Sequence, residues 1–380
     1  MVETRPRVAV VYGTRPEAIK LAPVIHRLRS YRDLEVITVS SGQHYELLEP
    51  VVQRFGIECD FQLPPMTEGR GLNQLVSSVV AGLDNLFAQI VPDAILVQGD
   101  TTTAFSAALV GFHCGAKVIH LEAGLRTGDI RAPFPEEANR KLISQIADLH
   151  CAPSFLASKN LIEEGVPEKA IVVTGNTVLD ALYEATQWEV HFSDPRLEQI
   201  QKQDRPAVLV TAHRRENLHY LENIARAIQI LANRFPKIVF VLVLHANPKI
   251  RDVFIANLSG IENIILSDAL PYDEFIALLR RSELVITDSG GLQEEAPALG
   301  IPVILMRDKT ERTEVLDSGA VQLVGTDVEH IVYSASRFLS IDGDLKTEKI
   351  EPSPYGEGRA SFRVAEAIHQ LLGMAPQGQC

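Results

Sequence analysis

At 380 residues the chain is longer than one ordinary hydrophobic core holds, so two domains are expected. With 46% hydrophobic and 22% charged residues it has the balance of a soluble globular protein. A formal net charge of -13 disfavours nucleic acid or an anionic membrane surface as the main partner, because both need a basic footprint; local basic pockets for phosphate stay open. Cys59, Cys114, Cys151 and Cys380 are far apart and form no C-x-x-C pair, so they are expected to be reduced, mostly buried thiols. The first residues, MVETRPRVAVVYG, pass straight into a strand with no signal-peptide core, and no apolar run is long enough to span a membrane. A cytoplasmic location is expected.

Short Val- and Ile-rich runs alternate with longer helical patterns along the whole chain. The first series of strands is expected at residues 8–12, 35–40, 94–98, 117–121, 149–152 and 171–174. A second series is expected at 208–211, 239–244, 264–266, 284–287, 303–306 and 321–323. Both faces of these runs are apolar, as parallel strands covered on each side by helices require. The alternation predicts βαβ units and doubly wound sheets. Residues 183–205 are polar, break the alternation and precede a fresh strand, so they are expected to be a linker. This gives an N-terminal Rossmann-like domain over 1–182 and a C-terminal one over 206–358. Two such halves should face one another across a deep cleft, with ligands just beyond the carboxyl ends of the strands.

The residues that follow the strands carry the chemistry. After the first comes Gly13-Thr-Arg-Pro-Glu-Ala-Ile-Lys20. It contains neither G-x-G-x-x-G nor a Walker phosphate loop. Arg15 stands at a helix entrance, where a cation is unfavourable unless an anion joins it. That favours a phosphate contact for Arg15 over a solvated side chain. Ser41-Gly-Gln-His-Tyr45 is a polar loop in which Gln43 and His44 are open between ligand contact and plain loop. Residues 66–71 form a glycine-containing connection to an amphipathic helix. After the third strand comes Gly99-Asp-Thr-Thr-Thr103, where Asp100 suits an N-cap. Glu122 ends the next strand with no capping duty nearby. Two prolines, Pro133 and Pro135, set an extended approach to a helix opened by Glu136 and Glu137. Asp100, Glu122 and Glu136 fall at one rim of one sheet, and clustered carboxylates become usable as general acid or base. Arg126 and Arg131 are the alternative, as structural partners of those carboxylates.

In the second half, Thr211-Ala-His-Arg-Arg-Glu-Asn217 places His213 at a strand end beside Arg214. His245 holds a similar position one strand later. Residues 284–287 then lead into Asp288-Ser-Gly-Gly291 and a helix carrying Glu294 and Glu295; Gly300-Ile-Pro302 stops it. Glycines let a ligand approach the backbone, a helix start offers N–H groups to an anion, and a carboxylate one turn on suits a sugar diol. Diphosphate plus ribose describes a nucleotide. Thr310-Glu-Arg-Thr313 follows the next strand and supplies Arg312.

Together the segments GTRPEAIK, GDTTT, HLEAGLRTGD, PFPEEANR, TGNTVLDAL, TAHRREN, TDSGGLQEEAPALG, MRDKTERTE and PYGEG resemble the non-hydrolysing UDP-N-acetylglucosamine 2-epimerase family, in order along nearly the whole chain. The resemblance implies an α/β, glycosyltransferase-B-like fold in which a C-terminal helix, here within 359–380, returns to the first domain. It implies inversion at C2 of UDP-GlcNAc without NAD or metal, through loss of UDP to a 2-acetamidoglucal and its re-addition, giving UDP-ManNAc for surface polysaccharide. By matching motif positions it puts Asp100, Glu122, Glu136 and His213 in the catalytic set. Arg15, Lys20, Ser289, Gly290, Gly291, Glu295 and Arg312 would bind UDP, with Glu295 on the ribose. Some bacterial members bind UDP-GlcNAc at a second, activating site, and Gln43, His44, Arg214 and His245 resemble parts of it. The family implies a homodimer. Three rivals stand beside this: a hydrolysing epimerase releasing ManNAc and UDP, a glycosyltransferase of the same fold, and a silent UDP-sugar-binding regulator. No acceptor patch is visible for the second, and the intact carboxylate set speaks against the third.

Overall fold

The computed structural model describes residues 5–43, 45–65, 71–203, 205–339 and 353–374. They group into two compact units, Met1–Ala181 with Tyr355–Cys380, and Leu182–Pro354.

The first unit is built on β1 (Arg7–Tyr12), β2 (Glu35–Ser40), β3 (Phe61–Gln62), β4 (Ala94–Gln98), β5 (Lys117–Leu121), β6 (Leu149–Ala152) and β7 (Ile171–Val173). All pair in parallel, in the order β3-β2-β1-β4-β5-β6-β7. Val8 to Tyr12 are buried without a break, because helices cover both faces. Those helices are α1 (Arg15–Arg29), α2 (Tyr45–Arg54), α3 (Leu72–Ile90), α4 (Thr102–His113), α5 (Glu136–Ile146), α6 (Phe155–Glu163) and α7 (Thr177–Ala185), which runs across the boundary. On α3 the buried Leu75, Val79, Leu83 and Phe87 recur every fourth residue and pack on Ile95, Val97, Ala104 and Ala108. Burying each such Leu or Phe contributes about 1.5–3 kcal/mol.

Strand order reverses between β1 and β4. Crossovers run outward from that point on either side, which leaves the turns after β1 and β4 adjacent and uncovered. Gly13 sits in this crowded corner: a Cβ there would lie 2.2 Å from Ser41 Oγ and 2.6 Å from Thr103 Oγ1.

The second unit repeats the plan with β8 (Ala207–Thr211), β9 (Val239–Val243), β10 (Ile264–Ser267), β11 (Ser282–Thr287), β12 (Val303–Leu305) and β13 (Val321–Leu323). The order is β10-β9-β8-β11-β12-β13, again parallel, with the reversal between β8 and β11. Its helices are α8 (Pro195–Gln203), α9 (Leu221–Arg234), α10 (Pro248–Leu258), α11 (Tyr272–Arg280), α12 (Leu292–Ala298), α13 (Glu314–Asp317) and α14 (Val328–Phe338). The turns after β8 and β11, where Ala212 to Arg214 and Asp288 to Gly291 lie, are therefore neighbours.

Residues 183–205, expected as a linker, carry α8. Leu197 and Ile200 of α8 are buried, and Ser193 N and Oγ donate to Glu274 Oε2 at 3.0 and 3.1 Å. The last helix, α15 (Ala360–Leu371), belongs to the first unit. Asp180 caps it, accepting from Ala360 N at 3.1 Å and Ser361 N at 2.8 Å. At its far end His369 Nε2 meets Asp33 Oδ2 at 2.9 Å. Among the described residues no helix is long and apolar enough to cross a membrane.

Candidate active site

In the first unit the carboxylates expected at one rim are present, but each has its own surroundings. Glu122 ends β5 with φ 62°, a left-handed conformation that side chains rarely adopt. Its carboxylate is fixed by Lys20 Nζ at 2.6 and 2.7 Å, by Gln98 Nε2 and by Asn176 Nδ2 at 3.4 Å. Lys20, expected on the diphosphate, is thus committed to Glu122. Asp100 does not cap α4. Thr101 does, accepting from Ala104 N at 2.9 Å, because the turn at Gly99 and Asp100 delays the helix start by one residue. Asp100 instead pairs with Arg140 at 2.5 Å, and its carbonyl accepts from Asn139 Nδ2 at 2.8 Å.

Arg140 is buried on α5 and also donates to Glu137 Oε2 at 3.0 Å. Burial works against its charge, but Asp100 and Glu137 outweigh burial and hold its pKa above the ordinary value. Arg126 and Arg131, the partners weighed from sequence, are elsewhere: Arg126 is bound to Glu164 at 2.7 Å and to Ser144 Oγ at 2.9 Å, and Arg131 is exposed. The approach to α5 is a folded turn rather than extended, with the Ala132–Pro133 and Phe134–Pro135 bonds cis. Glu136 opens α5 with Oε2 buried and without a hydrogen-bond partner.

Glu17 holds the corner together. It is fully buried, and Oε2 accepts from Gly13 N at 3.0 Å, Thr14 N at 2.8 Å and Thr14 Oγ1 at 2.8 Å. Oε1 accepts from Thr101 Oγ1 at 2.6 Å, tying the turn after β1 to the turn after β4. Burial raises its pKa against the pull of these hydrogen bonds. His120 Nε2 pairs with Gly99 O at 2.7 Å, and complete burial depresses its pKa to about 3, so the ring is neutral and donates. Arg15 begins α1, half-buried beside this corner.

The second unit has the opposite composition. Gly290 lies where two guanidinium groups converge: a Cβ there would be 3.1 Å from both Arg214 Nη2 and Arg312 Nη1. Arg312 is paired with Glu294 and Glu311, and Arg307 with Glu311 at 3.2 Å and Glu216 at 2.9 Å. Burial opposes the charge of Glu311, but Arg312, Arg307 and Arg214 prevail and hold its pKa down at about 2. Thr287 Oγ1 accepts from Ser289 N at 2.9 Å, and Gln293 Nε2 donates to Ser289 O at 3.1 Å, so the glycine turn is rigidly backed. Glu295, buried on α12, lies close to Gly291.

Arg214 and His245, expected in an effector site beside the active site, stand in this corner. His245 stacks on His213 with ring centroids 5.7 Å apart and planes 10° from parallel. Gln43 is in the first unit, accepting from Thr103 Oγ1 at 2.7 Å. His44 and residues 66–70 lie outside the described residues, as does Cys380. Of the other cysteines Cys151 is buried, with its thiol pushed up to about 12, whereas Cys59 and Cys114 are exposed, contrary to expectation. Cys59 lies on the approach to the short edge strand β3, and Cys114 caps the surface end of α4. Among the described residues no three His, Cys, Asp or Glu side chains are grouped to hold a metal.

Sequence reasoning missed Arg140, Glu17, Gln98, Asn176, Asp288 and Glu311. Glu17 alone had a local signal, the T-x-x-E spacing from Thr14 that marks a helix start.

Two parallel sheets with helices on both faces, each reversing order at a polar corner, define a Rossmann-like, glycosyltransferase-B-like α/β protein. A family model described as UDP-N-acetylglucosamine 2-epimerase matches residues 26–369. A Yersinia pestis UDP-N-acetylglucosamine 2-epimerase is 42% identical over 373 residues, covering 96% of this chain and 99% of its own. A Neisseria meningitidis UDP-GlcNAc 2-epimerase crystallised with UDP-GlcNAc superposes with a TM-score of 0.84 at 36% identity, over 97% of this chain and 100% of its own. An S. aureus protein solved with UDP gives a TM-score of 0.86 at 34% identity, over 97% and 98%. The chain belongs to the UDP-N-acetylglucosamine 2-epimerase family and is an enzyme of that type.

Proposed function

We propose that the protein interconverts UDP-GlcNAc and UDP-ManNAc by eliminating UDP across C1 and C2 and adding it back after C2 has been reprotonated on its other face. The observation that carries this is the contrast among three carboxylates of one corner. Glu122 is committed to Lys20 and Asp100 to Arg140, while Glu136 has a buried oxygen without a hydrogen-bond partner. Such an oxygen suits transfer of the C2 proton. Glu122, bound to Lys20, shapes the field in which C2 gives up its proton, and Asp100, partly exposed beside Arg140, relays a solvent proton to the other face. No hydride changes hands in this route, so it needs no nicotinamide, and with two guanidinium groups on the departing diphosphate it needs no metal.

The second unit holds the nucleotide in this reading. Arg214 and Arg312 converge at Gly290 and take the diphosphate, where they stabilise the charge that UDP gains on leaving. Glu295 takes the ribose hydroxyls. Keeping UDP in place lets the same molecule add back, which separates this reaction from hydrolysis to free ManNAc. The product is an activated ManNAc donor for polysaccharide synthesis.

Incubation with UDP-GlcNAc in D2O, followed by NMR, tests the proposal. Deuterium at C2 together with UDP-ManNAc is expected. Free ManNAc with stoichiometric UDP would establish the hydrolysing reaction instead, and neither exchange nor product would overturn both. Glu136→Gln should lower C2 exchange by at least about 1,000-fold, the upper range for a general acid–base group, while UDP still binds. Ordinary exchange in that variant removes Glu136 from the chemistry.

A further inference from the structure

The corner after β8 contains a buried carboxylate that the proposed reaction has not used. Asp288, at the end of β11, is fully buried. His213 N donates to its Oδ1 and Oδ2 at 3.1 and 3.0 Å, Arg214 N to Oδ2 at 2.9 Å, and Asn217 Nδ2 to Oδ2 at 3.0 Å. The same carboxylate faces the ring of His213, with Oδ1 3.5 Å from Nδ1. One residue therefore holds the backbone of His213 and lies beside its imidazole. The ring is held on a second side by its stack on His245.

The charges around His213 come from every neighbouring loop. Arg214 follows β8, His245 follows β9 and Asp288 follows β11. Arg312 and Glu311, after β12, meet Arg214 at Gly290. Burial lowers the pKa of His213, Arg214 and His245 push the same way, and Asp288 opposes them. The ring is neutral, and a carboxylate beside Nδ1 favours the tautomer with its proton there.

We propose that Asp288 is the positioning residue of His213, and that the pair takes up one proton from solvent when the diphosphate of a nucleotide enters this corner. The inference rests on the nucleotide-holding role given above to the second unit. Burial is the main cause of the neutral ring; an anion in this corner offsets the smaller push of Arg214 and adds its own negative charge to that of Asp288, so the two anions together favour the imidazolium. When the sugar C1–O bond breaks, its electron pair stays on the departing diphosphate oxygen, and the charged ring faces that new charge. The proton returns to solvent when UDP dissociates, so the cycle balances.

Calorimetry of UDP binding to the whole protein at pH 7.5, in two buffers with different heats of ionisation, counts the protons. Wild type should take up a substantial fraction of one proton. His213→Gln should bind UDP with that fraction lost, and Asp288→Asn should bind with the fraction clearly reduced. Equal uptake in wild type and His213→Gln overturns the inference, as does unchanged uptake in Asp288→Asn. Nitrogen-15 NMR of the wild-type ring decides independently of whether the Asp288 variant folds: the UDP complex should show an imidazolium, and a neutral ring in that complex overturns the proposal. If wild type binds no UDP, the nucleotide reading itself fails, an outcome distinct from UDP binding without proton uptake.

Discussion

The two corners carry mirror-image charge arrangements. In the first unit, carboxylates on the turns after β4 and β5 are each steadied by one cation, Arg140 for Asp100 and Lys20 for Glu122. In the second, Arg312 at the glycine turn is steadied by two carboxylates, Glu294 and Glu311. The first corner is closed, tied by Glu17 and packed on Gly13, which suits the proton transfer proposed for it. The second corner meets its glycine with the guanidinium ends of Arg214 and Arg312, side-chain tips rather than short hydroxyls, which suits the diphosphate proposed for it.

The largest test of this contrast is Arg140→Met. It leaves Asp100 and the fully buried Glu137 without their shared guanidinium, and should cost about 3–5 kcal/mol in urea denaturation. A loss below about 1 kcal/mol would mean that the first corner is not held by its ion pairs. Next come the two glycines. Gly13→Ala drives a methyl into two short hydroxyl side chains and should cost about 2 kcal/mol. Gly290→Ala presses only on guanidinium ends, so stability should stay within about 0.5 kcal/mol while UDP affinity falls about fivefold, the equivalent of roughly 1 kcal/mol. The reverse ranking would abolish the distinction.

The two histidines extend it. His120 is buried and neutral with a pKa of about 3, whereas an unfolded histidine titrates near 6.5. The unfolded chain alone gains this proton as pH falls below 6.5, so folding stability is lost on acidification. By pH 5 the His120 share is about 2 kcal/mol. Urea denaturation at pH 7 and pH 5 should show this much more loss in wild type than in His120→Gln; parallel behaviour would disprove it. The smallest effect is expected from Glu311→Gln. Removing the carboxylate that competes for Arg214, Arg307 and Arg312 should tighten UDP binding about threefold at low salt, and weaker binding would show that Glu311 helps to hold the ligand.

Strands were the most legible part of the chain, because both faces of each are apolar and a run such as Val8 to Tyr12 admits little else. β3 escaped notice: it is two exposed residues long and adds only an edge. α8 escaped because Leu197 and Ile200 are its only buried residues in an otherwise polar stretch. The site was legible as a set of residue types after strands but not as a set of partners. Lys20 and Glu122 are 102 residues apart, and His213 and Asp288 are 75 apart. Such pairings follow from strand order, not from local spacing. Lys20 therefore looked like a phosphate contact, and Arg140 drew no attention.

Asp180 and the helix it caps have a consequence for synthesis on the ribosome. The cap and its first partner are 180 residues apart, and the whole second unit is translated between them. At 5–20 residues per second, roughly 10–40 s pass before α15 exists to receive Asp180. The second unit can mature on the nascent chain during that interval, while the corner around Asn176 and Glu122 waits for the last helix to be made.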